Sequence, residues 1–282
     1  MRGLLRNSVA MFSFTVVAML IAAAVLAPWI APYDPVAGVL QDRLSPPVWQ
    51  AGGSWAHVLG TDVLGRDILS RLLYGARVSL AVCALAILVA GCIGSALGIA
   101  AGYLGGWVEA VIMRVVDLAI SLPVILIALL FGVLFGPSFG NIVIIISLLL
   151  WSQFARMARG ETLKVRAQDY VDLARAAGCS SLSIMWRHVL PNVGSSLIVL
   201  ATLQVGTVII MEASLSFLGV GVPPPWPAWG SMIAEGRSYV VSAWWLCIFP
   251  GLAVLFTVLA MNLLGDELTD TLNPSLRRDL GG

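Results

Sequence analysis

Asp62, Arg66 and Asp67 lie close together in GTDVLGRD, with glycines on both sides. Such a group can serve as a hydrogen-bonded, salt-bridged brace for a loop, or as a small substrate or ion site. Glu212 stands near the end of an apolar stretch and is followed by ASLSFLGVGVPPPWPAWG. A carboxylate there needs a partner, water or a proton; it can contact a passing solute or fasten the re-entrant segment after it. The third group is mechanical rather than bond-making. In DYVDLARAAGCSSLSIMWRHVLPN, Asp169 to Asn192, the end of a helix expected over 161–177, a break at 178–181 and a short helix over 182–189 before the helix-disfavouring Pro191 form a compact projection. Leu173, Ala174, Ala176 and Ala177 set small and apolar side chains among Asp172 and Arg175, a surface able to dock into a groove or to lie on a membrane face as an amphipathic linker.

Other chemistries find no support. The sequence has no paired-cysteine spacing, no HExxH pattern and no GxxxxGK[ST] loop, so neither an ATPase nor a hydrolase is indicated. The two histidines, His57 and His188, make no metal-binding cluster. Cys83, Cys92 and Cys247 fall in apolar runs and Cys179 in a polar loop, which favours packing over disulfides. A net charge of +1 gives no electrostatic case for a nucleic-acid partner.

The elements that must hold these groups are membrane spans. Hydrophobic residues make up 59% of the 282 positions and charged residues 11%, with a mean hydropathy of +0.95; soluble domains carry about a quarter charged residues. Uncharged runs cover 7–33, 78–108, 118–155, 189–211 and 238–265, and the third is divided at GPSFGN. About 20 apolar residues cross the hydrocarbon core, which predicts an all-α integral membrane protein of six spans near 9–31, 78–101, 117–135, 141–155, 193–214 and 243–265. The first run is too long for the apolar core of a cleaved signal and is expected to remain as an anchor.

With both ends on one side, eleven Lys and Arg share that side: Arg2, Arg6, Arg114, Arg156, Arg159, Lys164, Arg166, Arg175, Arg187, Arg277 and Arg278. Arg43, Arg66, Arg71, Arg77 and Arg237 lie opposite. The bias puts both termini in the cytoplasm. The expected organisation is then a cytoplasmic amino terminus at 1–8, a six-span domain at 9–265 and a cytoplasmic tail at 266–282. Within the domain lie external loops at 34–77 and 216–242 and a cytoplasmic loop at 156–192. In the first loop, Ile68, Leu69, Leu72, Leu73 and Ala76 recur at helical spacing, with Asp67 and Arg71 four apart, predicting a short amphipathic helix on the outer surface. Gly91, Gly94, Ser95 and Gly98 would line one face of the second span for close helix contact, and Gly102, Gly105 and Gly106 supply a tight turn. Pro223, Pro224, Pro225 and Pro227 beside Trp226 and Trp229 oppose regular helix in the second external loop, and Trp244 and Trp245 mark a membrane interface.

Taken together the sequence resembles an inner-membrane permease subunit of a bacterial ATP-binding cassette importer, of the dipeptide, oligopeptide and nickel group. The resemblance rests on Gly60 to Leu80, Met113 to Pro123, Glu212 to Val222, Met261 to Pro274 and the cytoplasmic stretch. The family's coupling motif runs EAA, three residues, Gly, nine residues, then a hydrophobic residue, x, Leu and Pro. Here Asp172, Leu173, Ala174, Gly178, His188, Leu190 and Pro191 occupy it, followed by Asn192; Asp172 and Leu173 depart from the commonest letters, and His188 takes the hydrophobic place. The resemblance implies the second permease subunit type, seated in the lipid bilayer of the bacterial inner membrane. It would work with a homologous permease, two cytoplasmic ATP-binding subunits and an extracytoplasmic solute-binding protein. ATP and magnesium would be held by the partner ATPases, with no cofactor on this chain. Peptides are the first expectation for cargo, nickel or another small solute the alternative. From the residues alone, an ion-coupled carrier and a membrane scaffold also remain open.

Overall fold

The structure is a computed structural model that describes residues 8–272, with side chains from 11 to 267. Among the described residues the elements are helices, apart from an isolated antiparallel bridge between Thr61 and Asp67. In chain order they are α1 (Ser8–Ile30), α2 (Ile68–Leu104), α3 (Gly106–Ser121), α4 (Val124–Phe135), α5 (Phe139–Arg166), α6 (Asp169–Ala176), α7 (Ser181–Ile184), α8 (Leu190–Phe217), α9 (Trp229–Gly236) and α10 (Trp245–Leu272). Five stretches are long and apolar enough to cross a membrane, and the α3–α4 pair, bent by 90°, makes a sixth if counted as one span. The tail at 273–282, including Arg277, Arg278 and the end of the Met261 to Pro274 pattern, and the amino-terminal Arg2 and Arg6 lie outside the described residues.

Several helices differ from the sequence expectation for identifiable reasons. The single helix expected at 117–135 is broken: Leu122 is extended (φ −85°, ψ 140°) because the ring of Pro123 excludes it from helical geometry. The outer amphipathic segment is not separate, since nothing between Ala76 and Val78 breaks the chain and α2 runs on for 37 residues, about 55 Å. Asp67 caps its start, accepting the Ser70 backbone N–H at 2.8 Å. Pro191 does not end a helix either. It falls in the first turn of α8, and the turn before it, Met185–Val189, is a π-turn whose wider loop leaves room for a ring without an N–H. The Asn192 side-chain amide donates to the His188 carbonyl at 2.6 Å. In the loop after α8, the proline run stops at Pro227 and α9 follows at once.

The core forms where α2, α5 and α8 meet, around Val82, Ala86, Ala90, Ile146, Leu150, Phe154, Val208 and Ile209. Glycine makes the α2–α5 crossing close. A Cβ on Gly94 would sit 2.7 Å from Cβ of Phe154, one on Gly98 2.7 Å from Cβ of Ala158, and one on Gly102 2.8 Å from Cβ of Thr162. The contact stripe is therefore Gly94, Gly98 and Gly102, one every four residues, with Gly102 inside α2 and the turn left to Gly105 (φ 68°) and Gly106 (φ 57°).

Because successive helices alternate in direction, the loop at 31–67 and the segment at 218–244 gather at one end of the bundle. There the indole N–H of Trp245 donates to the Thr61 carbonyl (3.1 Å) and that of Trp229 to the Leu72 carbonyl (3.1 Å). Both tryptophans are buried, so they are packing anchors, Trp229 of α9 onto α2 and Trp245 of α10 onto the first loop, rather than an interfacial belt. The α6–α7 hairpin is at the other end.

Candidate functional site

The hairpin is built as a solid body. α6 ends in a Schellman motif: Gly178 has φ +82°, its N–H reaches the Arg175 carbonyl at 3.0 Å, and the Cys179 N–H reaches Ala174 at 3.1 Å. Ser180 caps α7 through the Ser183 N–H (3.3 Å). Val171 and Ile184 point inward with Val189 and Val193 onto Ile99 and Tyr103 of α2 and Ala158 of α5, and Ala174 and Leu190 pack against that cluster. The opposite face is open and partly apolar: Leu173, Leu182 and Trp186 are each 70% exposed or more. Asp172, exposed beside them, pairs with Arg175 at 2.9 Å, whose guanidinium lies over the Tyr103 ring. His188 is half-buried in the π-turn, its ring 6.2 Å from that of Tyr170.

Of the residues singled out in the sequence, Asp172 and Leu173 are on the open face, Ala174 and Leu190 hold the hairpin to the bundle, and Gly178 shapes its tip. His188, Pro191 and Asn192 form the joint into α8. Leu182 and Trp186 were missed; exposed apolar side chains on a polar projection are the signal that could have found them.

At the loop-rich end, Asp62, Arg66 and Asp67 are buried and fully engaged. Asp62 accepts the backbone N–H groups of Leu64 and Arg66 at 2.8 and 2.9 Å through one oxygen, and Nε of Arg66 at 2.6 Å through the other. Asp67, besides capping α2, faces Nδ1 of His57 at 3.0 Å. The expected Asp67–Arg71 pair is absent from this arrangement, because the capping geometry aims Asp67 at Ser70 and His57. Arg71 instead meets Asp62 at 3.5 Å and Glu235 of α9 at 3.0 Å. Glu235 takes a second guanidinium nitrogen from Arg66 at 2.9 Å. Two arginines and two carboxylates thus clasp the first loop, α2 and α9 together. The pairing of Arg71 with Glu235 was not recognised from sequence, since 164 positions separate them.

Glu212 is wholly buried. Its two oxygens accept the hydroxyls of Ser79 on α2 and Ser216 one turn on in α8, each at 2.7 Å. It is a polar tie between two spans. Near the hairpin end, Arg156 pairs with Asp117 at 2.9 Å and Arg159 with Glu109, fastening α5 to α3.

A bundle of apolar spans with a rigid projection at one end and clasped loops at the other suits a transport component, and kinship decides which. The model of the binding-protein-dependent transport system inner membrane component matches residues 94–278. The chain belongs to that family. The N-terminal TM domain of oligopeptide transport permease C also matches, over residues 1–47. The permease is 44% identical over 273 residues to the dipeptide transport system permease protein of Escherichia coli strain K12, covering 97% of this chain and 91% of the relative. It is 42% identical over 272 residues to the glutathione transport system permease proteins of Escherichia coli O1:K1 and of Shigella boydii serotype 4, covering 96% of this chain and 88% of each relative. It is a multi-pass membrane protein and a subunit of an ATP-binding cassette importer, a transporter component without its own ATPase site.

Proposed function

We propose that this permease forms half of the transmembrane pathway of an importer for dipeptides or oligopeptides and that its α6–α7 hairpin couples the pathway to separate ATPases. What supports the cargo is the near full-length kinship to permeases named for dipeptide and for glutathione, itself a small peptide. A homologous permease supplies the other half, two cytoplasmic ATP-binding subunits hold ATP and magnesium, and an extracytoplasmic binding protein delivers solute. The eleven-to-five split of basic residues supports cytoplasmic termini in the bacterial inner membrane. Thiol labelling of cysteines introduced at Ala167 and Gly52 checks this: labelling of both from one side would reverse it.

The coupling role follows from stiffness. Force applied at Asp172, Leu173, Leu182 and Trp186 meets a hairpin whose inner face is locked onto α2, α5 and α8, so it moves those helices instead of bending a tether. Asp62, Arg66, Asp67 and Glu212 keep the outer end and the α2–α8 contact in register while this happens. The test is co-purification. Tagged permease should bring down both its homologue and the ATPases, and Asp172→Lys should lose ATPase while keeping the homologue; Asp42→Lys, in the loop at the other end, should keep both. Loss of ATPase in neither variant would remove Asp172 from the interface, and no ATPase with the wild type would sink the assignment.

A further inference from the structure

An open apolar groove of about 750 Å³ runs between α1, α2, α8 and α10, lined among others by Trp29, Arg77, Ala84, Ile87, Ile198 and Ala201. Arg77 is exposed, and none of the hydrogen bonds or ion pairs of the described residues involves it. An arginine within a spanning helix ordinarily faces a partner or a membrane interface. Its depth identifies which. The chain leaving α1 touches the first turn of α2, where the Tyr33 N–H meets the Ser70 hydroxyl at 3.1 Å. From that level Arg77 is about 10 Å down α2 and Trp29 about 6 Å down α1 at 1.5 Å per residue, so both flank the same end of the groove. Trp29 is 75% exposed, and tryptophan and arginine together mark headgroup depth.

The remaining polar groups of the groove are already used. The Thr202 hydroxyl donates to the Ile198 carbonyl at 2.9 Å and the Cys83 thiol to Val205 at 3.7 Å. An extended peptide would find no partners for its amides along such walls. What fits is an amphiphile with one anionic head and a long apolar body. We propose that the groove holds a membrane phospholipid, its phosphate on Arg77 beside the Trp29 indole and an acyl chain along α2 and α8 toward Ile198. The site depends on the protein being embedded in a bilayer and not on its cargo, so it stands or falls separately from peptide import.

The test uses the complete importer in vesicles of phosphatidylethanolamine and phosphatidylglycerol, doped with a phosphatidylglycerol carrying a photoactivatable diazirine in its chain. Irradiation should label peptides containing Ala84, Ile87 and Ile198. Arg77→Gln should lower labelling about fivefold, the factor expected for one basic side chain at a membrane phosphate, while Arg77→Lys retains most of it. Ala201→Trp, which fills the groove without touching the charge, should lower it as well. Labelling unchanged in both Arg77→Gln and Ala201→Trp would overturn the site. So would capture of the partner permease in place of lipid by a photoreactive residue at Ala84, which would make the groove a subunit interface.

Discussion

Replacing Glu235 by Gln tests whether the clasp at the loop-rich end is structural. The wild-type group is neutral, with Arg66 and Arg71 against Asp62 and Glu235; the substitution leaves two buried arginines sharing one carboxylate. Arg71 is only 1% exposed, and its Nε and Nη1 already have no hydrogen-bond partner, so it has little to fall back on beyond Asp62 at 3.5 Å. Breaking a buried pair costs about 3–5 kcal/mol. Glu235 is 30% exposed and glutamine keeps an acceptor, which brings the expected loss to about 2 kcal/mol. For a chain of this size that lowers the melting temperature by roughly 4–8 °C, measurable as residual monodisperse complex after heating in detergent. The double variant Arg71→Met with Glu235→Gln restores charge balance and should recover part of the loss, while transport below the transition stays near wild type. A melting temperature unchanged within about 1 °C, or identical in the single and double variants, would refute the clasp as a stability element.

Gly98→Leu should separate α2 from α5, because the added Cβ meets the Ala155 backbone and Ala158 rather than a flexible chain end; the loss should reach about 3 kcal/mol, read as reduced yield of heat-stable complex, and Ser95→Leu on the neighbouring face should be far milder. Gly178→Val acts differently: nothing lies within 4 Å of its Cβ position, so the cost is backbone strain at φ +82°, about 1–2 kcal/mol. It should leave insertion and pairing intact while reducing solute-stimulated ATPase activity, and normal stimulation would show that the Schellman turn is not needed for coupling.

The spans and the hairpin were legible because both are local properties. A 20-residue apolar run or a helix ended by Gly178 is written in neighbouring residues. The glycine stripe was half legible: the four-residue repeat gives a face, but Gly102 joins it and Ser95 leaves it only once the crossing with α5 exists. Helix ends were harder. Polar residues from Asp67 to Arg77 looked like a surface segment because their partners, His57 and Glu235, come from elsewhere in the chain. Pro191 looked like a terminator because a π-turn that tolerates it has no sequence pattern of its own. Glu212 could be recognised as needing a partner, but not which one: Ser79, which donates to it, lies 133 positions away.

The central claim is tested most directly by uptake of a radiolabelled dipeptide into vesicles holding the complete assembly. With the binding protein outside and ATP inside, uptake should require both, and vesicles holding this permease alone should neither take up dipeptide nor hydrolyse ATP. Uptake by the single chain, or by the full assembly at an equal rate without ATP, would contradict the account.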